Sequence, residues 1–419
     1  MRLKDIGYLY GGLNGKSGDD FHEEDPDKVK PFIPFTNVFK NFKVDVSDVR
    51  YVAMEAGEIQ NRVRQGDVLF LMSSEDYDGI GKPAVISDEV SELYLNSFCR
   101  GLRITKRNIC PEFVNYYLNA HHCREQIRLE GRGFTRVNIK LDRIAGQELK
   151  LPPVVDQRRI VEYLDSRCAA IDRKVALLEQ KRTAYAKLKR ALINETVTRG
   201  LDKNAKLKDS GVDWIGKVPE GWAIMRIKDV ACSVGSGGTP AAGNALFYAD
   251  ANGYNWVSIS DMSNVEYVTK TEKLLTQAGV EDKQLTVFPP GTVLYSMYAT
   301  IGRVSELAIP STINQAILAI TFSPKYCKGF IKYALKAFEP WAIAHTSEST
   351  QKNLNAEKVR RFFIAVPNAE EQRIIANYLD AKCARIDKVL VLVAKEIELY
   401  KKLKRSLIDE VVTGRRKVA

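Results

Sequence analysis

The sequence predicts an α+β protein: two mixed α/β globules separated by two long antiparallel coiled-coil helices, forming an internal pseudo-twofold repeat. Three observations predict it: a segment that recurs 215 residues further along, a heptad spacing of apolar residues in both copies, and short β-rich runs broken by Gly and Pro ahead of each copy.

The repeat is read from Gln157-Arg158-Arg159-Ile160-Val161-Glu162-Tyr163-Leu164-Asp165 and Gln372-Arg373-Ile374-Ile375-Ala376-Asn377-Tyr378-Leu379-Asp380. At the same offset and without a gap, Cys168 matches Cys383, Ile171-Asp172 matches Ile386-Asp387, and Leu188-Lys189-Arg190 matches Leu403-Lys404-Arg405. The match persists to Val197-Thr198 and Val412-Thr413, over about 47 residues. Fainter echoes precede each copy: Arg2-Leu3-Lys4-Asp5-Ile6 resembles Arg226-Ile227-Lys228-Asp229-Val230, and Gly66-Asp67-Val68-Leu69-Phe70 resembles Gly291-Thr292-Val293-Leu294-Tyr295. The chain is a duplication of a variable globular part followed by a better-matched segment.

Inside the segments, Leu164, Ile171, Leu178, Tyr185 and Leu192, and then Leu379, Ile386, Val393, Tyr400 and Leu407, fall at every seventh residue. That spacing makes a coiled-coil seam, because seven residues are nearly two helical turns and keep one apolar line facing a partner. Neither segment contains an internal Gly or Pro; Pro152-Pro153 and Pro367 precede the starts, and Gly200 and Gly414 follow the ends. The first helix leads from one globule to the next, so the second must run back to pair with it, antiparallel. Roughly 40 residues at ~1.5 Å rise make a strut of ~60 Å.

The expected organisation is a first globule at 1–151, a long helix at 152–200, a polar connector at 201–221, a second globule at 222–366, a second long helix at 367–414 and a basic tail at 415–419. The clearest globular helices are expected at Pro111 to Arg128 and Gly329 to Ala344, and strands at Asp67 to Met72, Asn255 to Ile259 and Gly291 to Tyr295.

The net charge of +11 favours a polyanionic partner, nucleic acid or an anionic surface. No apolar run approaches the ~18–20 residues of a membrane span, no signal-peptide core follows Met1, and the seven cysteines form no CxxC pair, so a cytoplasmic protein with free thiols and no membrane contact is expected. His121-His122-Cys123 lacks the partner cluster of a metal site, and no metal is expected. Two basic modules in inverted orientation match the dyad symmetry of duplex DNA, one module for each half of a split site. Candidate DNA contacts in the first globule are Lys16, Ser17, Thr36, Asn37, Ser73, Ser74, Arg132, Phe134, Thr135 and Arg136. In the second they are Gly237, Gly238, Thr239, Tyr295, Ser296, Tyr298, Arg303, Ser349, Thr350, Gln351 and Lys352.

Catalytic motifs are missing. Gly11 to Ser17 fails as a phosphate-binding loop because Tyr10 stands where the first glycine is needed. Glu148-Leu149-Lys150 has the form of a nuclease core without an upstream carboxylate to share a metal. Pro152-Pro153 is followed by Val154 rather than an aromatic residue, so no methyltransferase segment is present. With no nucleophile, base and orienting residue to assemble, no catalytic residue is assigned.

These features resemble the specificity (S) subunits of type I restriction-modification systems. The resemblance spans nearly the whole chain and rests on the Pro-x4-Gln helix starts at Pro152 and Pro367, on Lys208 to Gly216 with Pro219 and Trp222, and on Gly237-Gly238-Thr239-Pro240 leading to Trp256 to Asp261. It implies two target-recognition domains that read the halves of an asymmetric bipartite double-stranded DNA sequence, the helices setting the unread spacer. It implies no cofactor in this chain. Two methyltransferase (M) subunits, which bind S-adenosylmethionine and methylate adenine, would dock around the helices, and motor-nuclease (R) subunits, which use ATP and Mg, would cleave unmodified DNA. One departure is that the first globule lacks the Trp214 to Trp222 lead-in of the second; the tail from Gly414 to Lys417 is the candidate for closing that gap. A coiled-coil scaffold with protein-binding globules, or a self-sufficient nuclease or methyltransferase, are the competing readings.

Overall fold

The computed structural model describes residues 1–21, 29–55, 57–263, 265–298, 300–346 and 354–418. The chain divides into two compact units, one of Met1–Glu179 with Ala394–Ala419 and one of Gln180–Val393. Each unit therefore owns a globule and one half of each long helix, a division that differs from the composition-based boundaries. The reason is packing. In the first unit Leu164, Cys168, Leu407, Ile408, Val411 and Val412 are part of the same buried cluster as the globule's Phe70, Phe113 and Ile127. In the second, Ile193, Val197, Ile375, Leu379 and Cys383 join Phe330, Trp222 and Ile364. The helix ends belong to the globular cores.

The first unit is built on a four-stranded antiparallel sheet, β1 (Gly7–Gly11), β2 (Val68–Leu71), β3 (Pro83–Val85) and β4 (Cys99–Ile104), in the order β1-β4-β2-β3. Every residue of Val68–Leu71 is buried, because one face of that central strand meets the helices and the other a second apolar cluster around Ile33, Val38 and Leu95. Helices α1 (Pro111–Asn119) and α2 (His121–Glu130) follow. The expected single helix from Pro111 is interrupted at Ala120, whose ψ of 147° leaves the helical region and turns α2 so that Cys123 and Ile127 are buried.

In the second unit, five strands follow the order β5-β9-β7-β8-β6, with β5 (Ala231–Ser236), β6 (Tyr267–Val268), β7 (Val293–Ser296), β8 (Val304–Leu307) and β9 (Ile317–Phe322). Here too the expected helix from Gly329 is two, α4 (Lys328–Ala337) and α5 (Glu339–Thr346), after the long α3 (Val154–Arg199). Pro340, with no N–H, cannot continue a helix and starts a new one instead.

The faint echo between the globules has a structural counterpart. Leu3 N donates to Gln147 O at 3.0 Å in the first unit, and Ile227 N to Phe362 O at 2.8 Å in the second. Arg2 N and Arg226 N donate to the carboxylates of Asp5 and Asp229 at 2.8 and 3.1 Å. The connector at 201–221 is more than a polar loop: Leu207–Asp209 pairs antiparallel with Lys217–Pro219, and Ile215 and Val218 are buried in the second unit's core beside Trp222, the first residue of the second globule.

The second long helix is α6 (Ala369–Val412). Within the first unit Lys404 pairs with Asp172 at 2.7 Å and Lys174 with Glu396 at 3.7 Å, so the halves of α3 and α6 there run antiparallel. Within the second, Lys189 pairs with Asp387 at 2.7 Å, the same contact displaced by 215 residues on both sides. Along the heptad line Leu164, Leu178, Leu379, Ile386, Val393 and Leu407 are buried, while Ile171, Tyr185, Leu192 and Tyr400 are half-buried. Both helices end on glycines with positive φ, Gly200 at 73° and Gly414 at 74°, the left-handed geometry that stops a helix without steric cost. Leu164 and Leu379 are each 0% exposed. Leu164→Ala and Leu379→Ala should each destabilise the chain by about 2–5 kcal/mol in urea unfolding, whereas Leu177→Ala, on an exposed position, should stay within about 0.5 kcal/mol.

Candidate nucleic-acid interface

The loop that follows α2 carries a run of exposed basic, aromatic and hydroxyl side chains. Arg132, Phe134, Thr135 and Arg136 are all exposed on it. The loop is closed by a two-way backbone pairing of Arg132 and Asn138 at 2.9 and 2.8 Å, and is carried by the short ladder between Ser73–Ser74 and Val137–Asn138. Arg136 lies over the Phe98 ring at 5.1 Å, and Phe98 in turn borders an open cavity of about 780 Å³ lined by Lys16, Ser17, Phe35, Arg50 and Tyr51. Exposed aromatic rings beside guanidinium groups suit contact with nucleotides, which offer π faces and phosphates together. Phe35, Arg50, Tyr51 and Phe98 escape a reading of local sequence because they come from separate elements.

The other first-unit candidates are held more tightly. Lys16 pairs with Glu58 at 2.5 Å and its side chain is only 9% exposed; this hydrogen bond keeps the Glu58 carboxyl below its usual range. Ser17 donates its backbone N–H to Asp20 at 2.6 Å. Thr36 and Ser73 are half-buried and Ser74 is buried. Asn37, 0% exposed, donates to the carbonyls of Asp45 and Asp48 at 2.7 and 2.8 Å and so organises a turn from inside.

In the second unit Tyr295 and Ser296 are 0% exposed within β7, which places them in the core rather than on a contact surface. They look polar in sequence, but the strand is buried on both faces. Ser296 receives the backbone N–H of Arg303 at 3.0 Å and also hydrogen-bonds to the Thr300 carbonyl, fixing the turn that follows β7. Tyr298 and Arg303 are half-buried on that turn. Gly237 sits where an added Cβ would meet the Ile313 carbonyl oxygen at 1.9 Å, so only glycine fits. Gly238 accepts from the Trp256 indole at 3.0 Å, and Thr239 hydrogen-bonds to Gln315. Ser349, Thr350, Gln351 and Lys352 lie outside the described residues.

One arrangement imitates a catalytic triad. Cys123 Sγ is 3.3 Å from His122 Nε2, and His122 Nδ1 is 2.8 Å from Asp409 Oδ1. The order nucleophile, base and orienting acid is right. The thiol, however, is buried, and that burial pushes it up to about 12, so at neutral pH it stays protonated and out of reach. Burial also opposes ionisation of Asp409, but the His122 ring and backbone N–H, with Arg415, outweigh it and hold this carboxyl below its usual range. These contacts tie the end of α6 to α2. No group of three or more His, Cys, Asp or Glu side chains able to hold a metal occurs among the described residues, and no helix among them is long and apolar enough to cross a membrane.

The type I restriction modification DNA specificity domain family matches residues 2–184 and 219–388, once for each repeat. The chain belongs to this family. Its members are the non-catalytic specificity subunits of type I restriction-modification systems. The putative type I restriction enzyme MjaX specificity subunit of Methanocaldococcus jannaschii is 23% identical, the match covering 99% of this chain and 93% of that one. The MjaIX specificity subunit of the same organism is 28% identical over 39% of this chain, and there the match spans only 38% of the relative's length. A solved chain described under the structural basis of complex assembly and conformational transition of the type I R-M system shares this fold, with TM-score 0.74, 18% identity and coverage of 98% and 96%. In a member with no nucleophilic chemistry, thiol reactivity should follow exposure alone. At pH 8 Cys232, the exposed thiol, should be alkylated by iodoacetamide first, and Cys99 and Cys123, both held near 12, should react only on unfolding, as peptide mass mapping would read out.

Proposed function

We propose that this chain is the double-stranded DNA-binding subunit of a type I restriction-modification complex: it recognises an asymmetric bipartite target with a fixed spacer and directs adenine methylation by M subunits and cleavage by R subunits. The observation that carries this reading is the repetition of one docking scheme, unit by unit, at an offset of 215 residues in the long helices and 217 between the globules' tyrosines. Tyr116 donates to Asp165 at 2.6 Å and Tyr333 to Asp380 at 2.7 Å, and the Asp172–Lys404 and Asp387–Lys189 pairs are each other's equivalents. Each globule is fastened in the same way to a helix half, while the surfaces beyond the fastening differ in sequence. A duplicated frame with divergent faces suits two different half-sites. The net charge of +11 supports a phosphate-backbone contribution to binding.

The helices also support a pair of like partners. Leu177 and Leu392 are exposed on equivalent positions, as are Leu188 and Leu403. Exposed leucines that recur at the repeat spacing on otherwise charged helices are sites for protein contact, and equivalent sites call for two copies of one partner. Two M subunits fit that requirement. S-adenosylmethionine would then be supplied by the M subunits, and ATP and Mg used by the R subunits, with the complex working in the cytoplasm.

Three measurements test this reading. Binding of the S–M complex to target DNA should weaken with salt at a log-log slope of about −0.9 per phosphate contact, and a scaffold that binds only proteins would show no DNA binding. Exchange of residues 1–151 for the corresponding globule of another member should change one half-site and leave the other; an unaltered recognition sequence would defeat the modular reading. Leu188→Glu with Leu403→Glu should abolish co-purification of M while leaving the unfolding midpoint of the isolated chain unchanged.

A further inference from the structure

Phe134 is 107% exposed, the most exposed large apolar side chain among the described residues. Scattered surface apolar residues are ordinary, so exposure alone says little. Phe134 differs in how it is held. Gly133 takes a φ of 141°, and a Cβ there would meet the Arg136 carbonyl oxygen at 1.8 Å, so the turn beneath the ring requires glycine. Arg132 Nη1 braces the base of the loop through the carbonyls of Leu129 and Gly131 at 2.6 and 2.8 Å. The two-way pairing of Arg132 with Asn138 closes it. A stiff tip that points a phenyl ring into water loses little conformational entropy when the ring is buried by a partner.

The surroundings say what kind of partner. From Gly131 to Lys140 there is no acidic residue, while Arg136 and Lys140 are exposed on either side of the ladder. Next to the tip, Arg136 stacks on Phe98, which continues the aromatic and basic face towards Arg50 and Tyr51. A protruding ring on a loop that also exposes Arg136 and Lys140 is complementary to stacked bases flanked by phosphates, whereas an apolar protein groove would need no such charge.

We propose that Phe134 is an aromatic wedge, inserted at a base step of the half-site that the first unit contacts, with Arg136 and Lys140 on the flanking phosphates. The proposal rests on the DNA-reading function above and assigns one residue to it. Ser349 stands at the equivalent position of the second repeat, so the wedge belongs to one half-site only.

The test uses the complete complex with its M subunits and duplexes carrying 2-aminopurine at successive positions of both half-sites. Phe134→Ala should weaken binding about tenfold or more and remove the fluorescence rise at one step of one half-site, with the salt slope unchanged; Phe134→Trp should retain both. Arg136→Ala with Lys140→Ala should instead lower the magnitude of the slope by about 1.8 and keep the fluorescence rise. Because the ring is fully exposed, Phe134→Ala should unfold at the same urea concentration as the parent. A Phe134→Ala complex with parental affinity and fluorescence would overturn the wedge, and so would one that loses its M subunits, which would assign the ring to a protein contact. If the parent complex itself shows no preference for any split site, the DNA-reading function fails first, and that outcome is separate from failure of the wedge.

Discussion

The fold depends on a buried glutamine at the start of each long helix. Gln157 is 1% exposed and Gln372 2% exposed, yet both carry polar amides into the core. Each accepts the backbone N–H of the residue that caps a globular helix, Cys110 at the start of α1 and Cys327 at the start of α4, at 2.8 Å in both cases. Each also donates to the proline carbonyl five residues before it, Pro152 at 2.7 Å and Pro367 at 2.8 Å. A buried amide left unpaired would cost about 1–3 kcal/mol per group, so the long helix has one favourable docking position on its globule. The tyrosine hydroxyls of Tyr116 and Tyr333 then fix the next two turns through Asp165 and Asp380.

Once the starts are fixed, the seam follows. Exposed ion pairs such as Lys404 with Asp172 contribute roughly 0–1 kcal/mol each, so they select alignment more than they hold the helices together. Burial of Leu164, Leu178, Leu379, Val393 and Leu407 supplies most of the attraction. The same economy explains why the helices keep exposed leucines at equivalent positions: the seam uses one face and leaves another available.

Much of this was legible in the sequence, because a duplication and a heptad are long-range patterns that many residues report at once. Gln157 and Gln372 lie inside the repeat, although nothing in their spacing announces that they are buried. Depth was harder to read. Tyr295, Ser296 and Asn37 look like surface contacts by residue type, but tertiary burial turns them into core and turn residues. The connector reads as polar by composition, while its spaced apolar residues Ile215 and Val218 are what the second core takes up. The Arg132 to Arg136 loop was visible because its residues are contiguous; Phe98, Arg50 and Tyr51, which share its face, were not, since only the fold brings them together.

We propose that this chain supplies sequence choice to an enzyme that lacks it. The most direct measurement is sequencing of N6-methylated adenines in host DNA that expresses the cognate M subunit with and without this chain. Methylation at one split motif, present only with the chain, is expected; methylation that persists unchanged without it, by an M subunit shown to be active, would show that the sequence choice lies elsewhere.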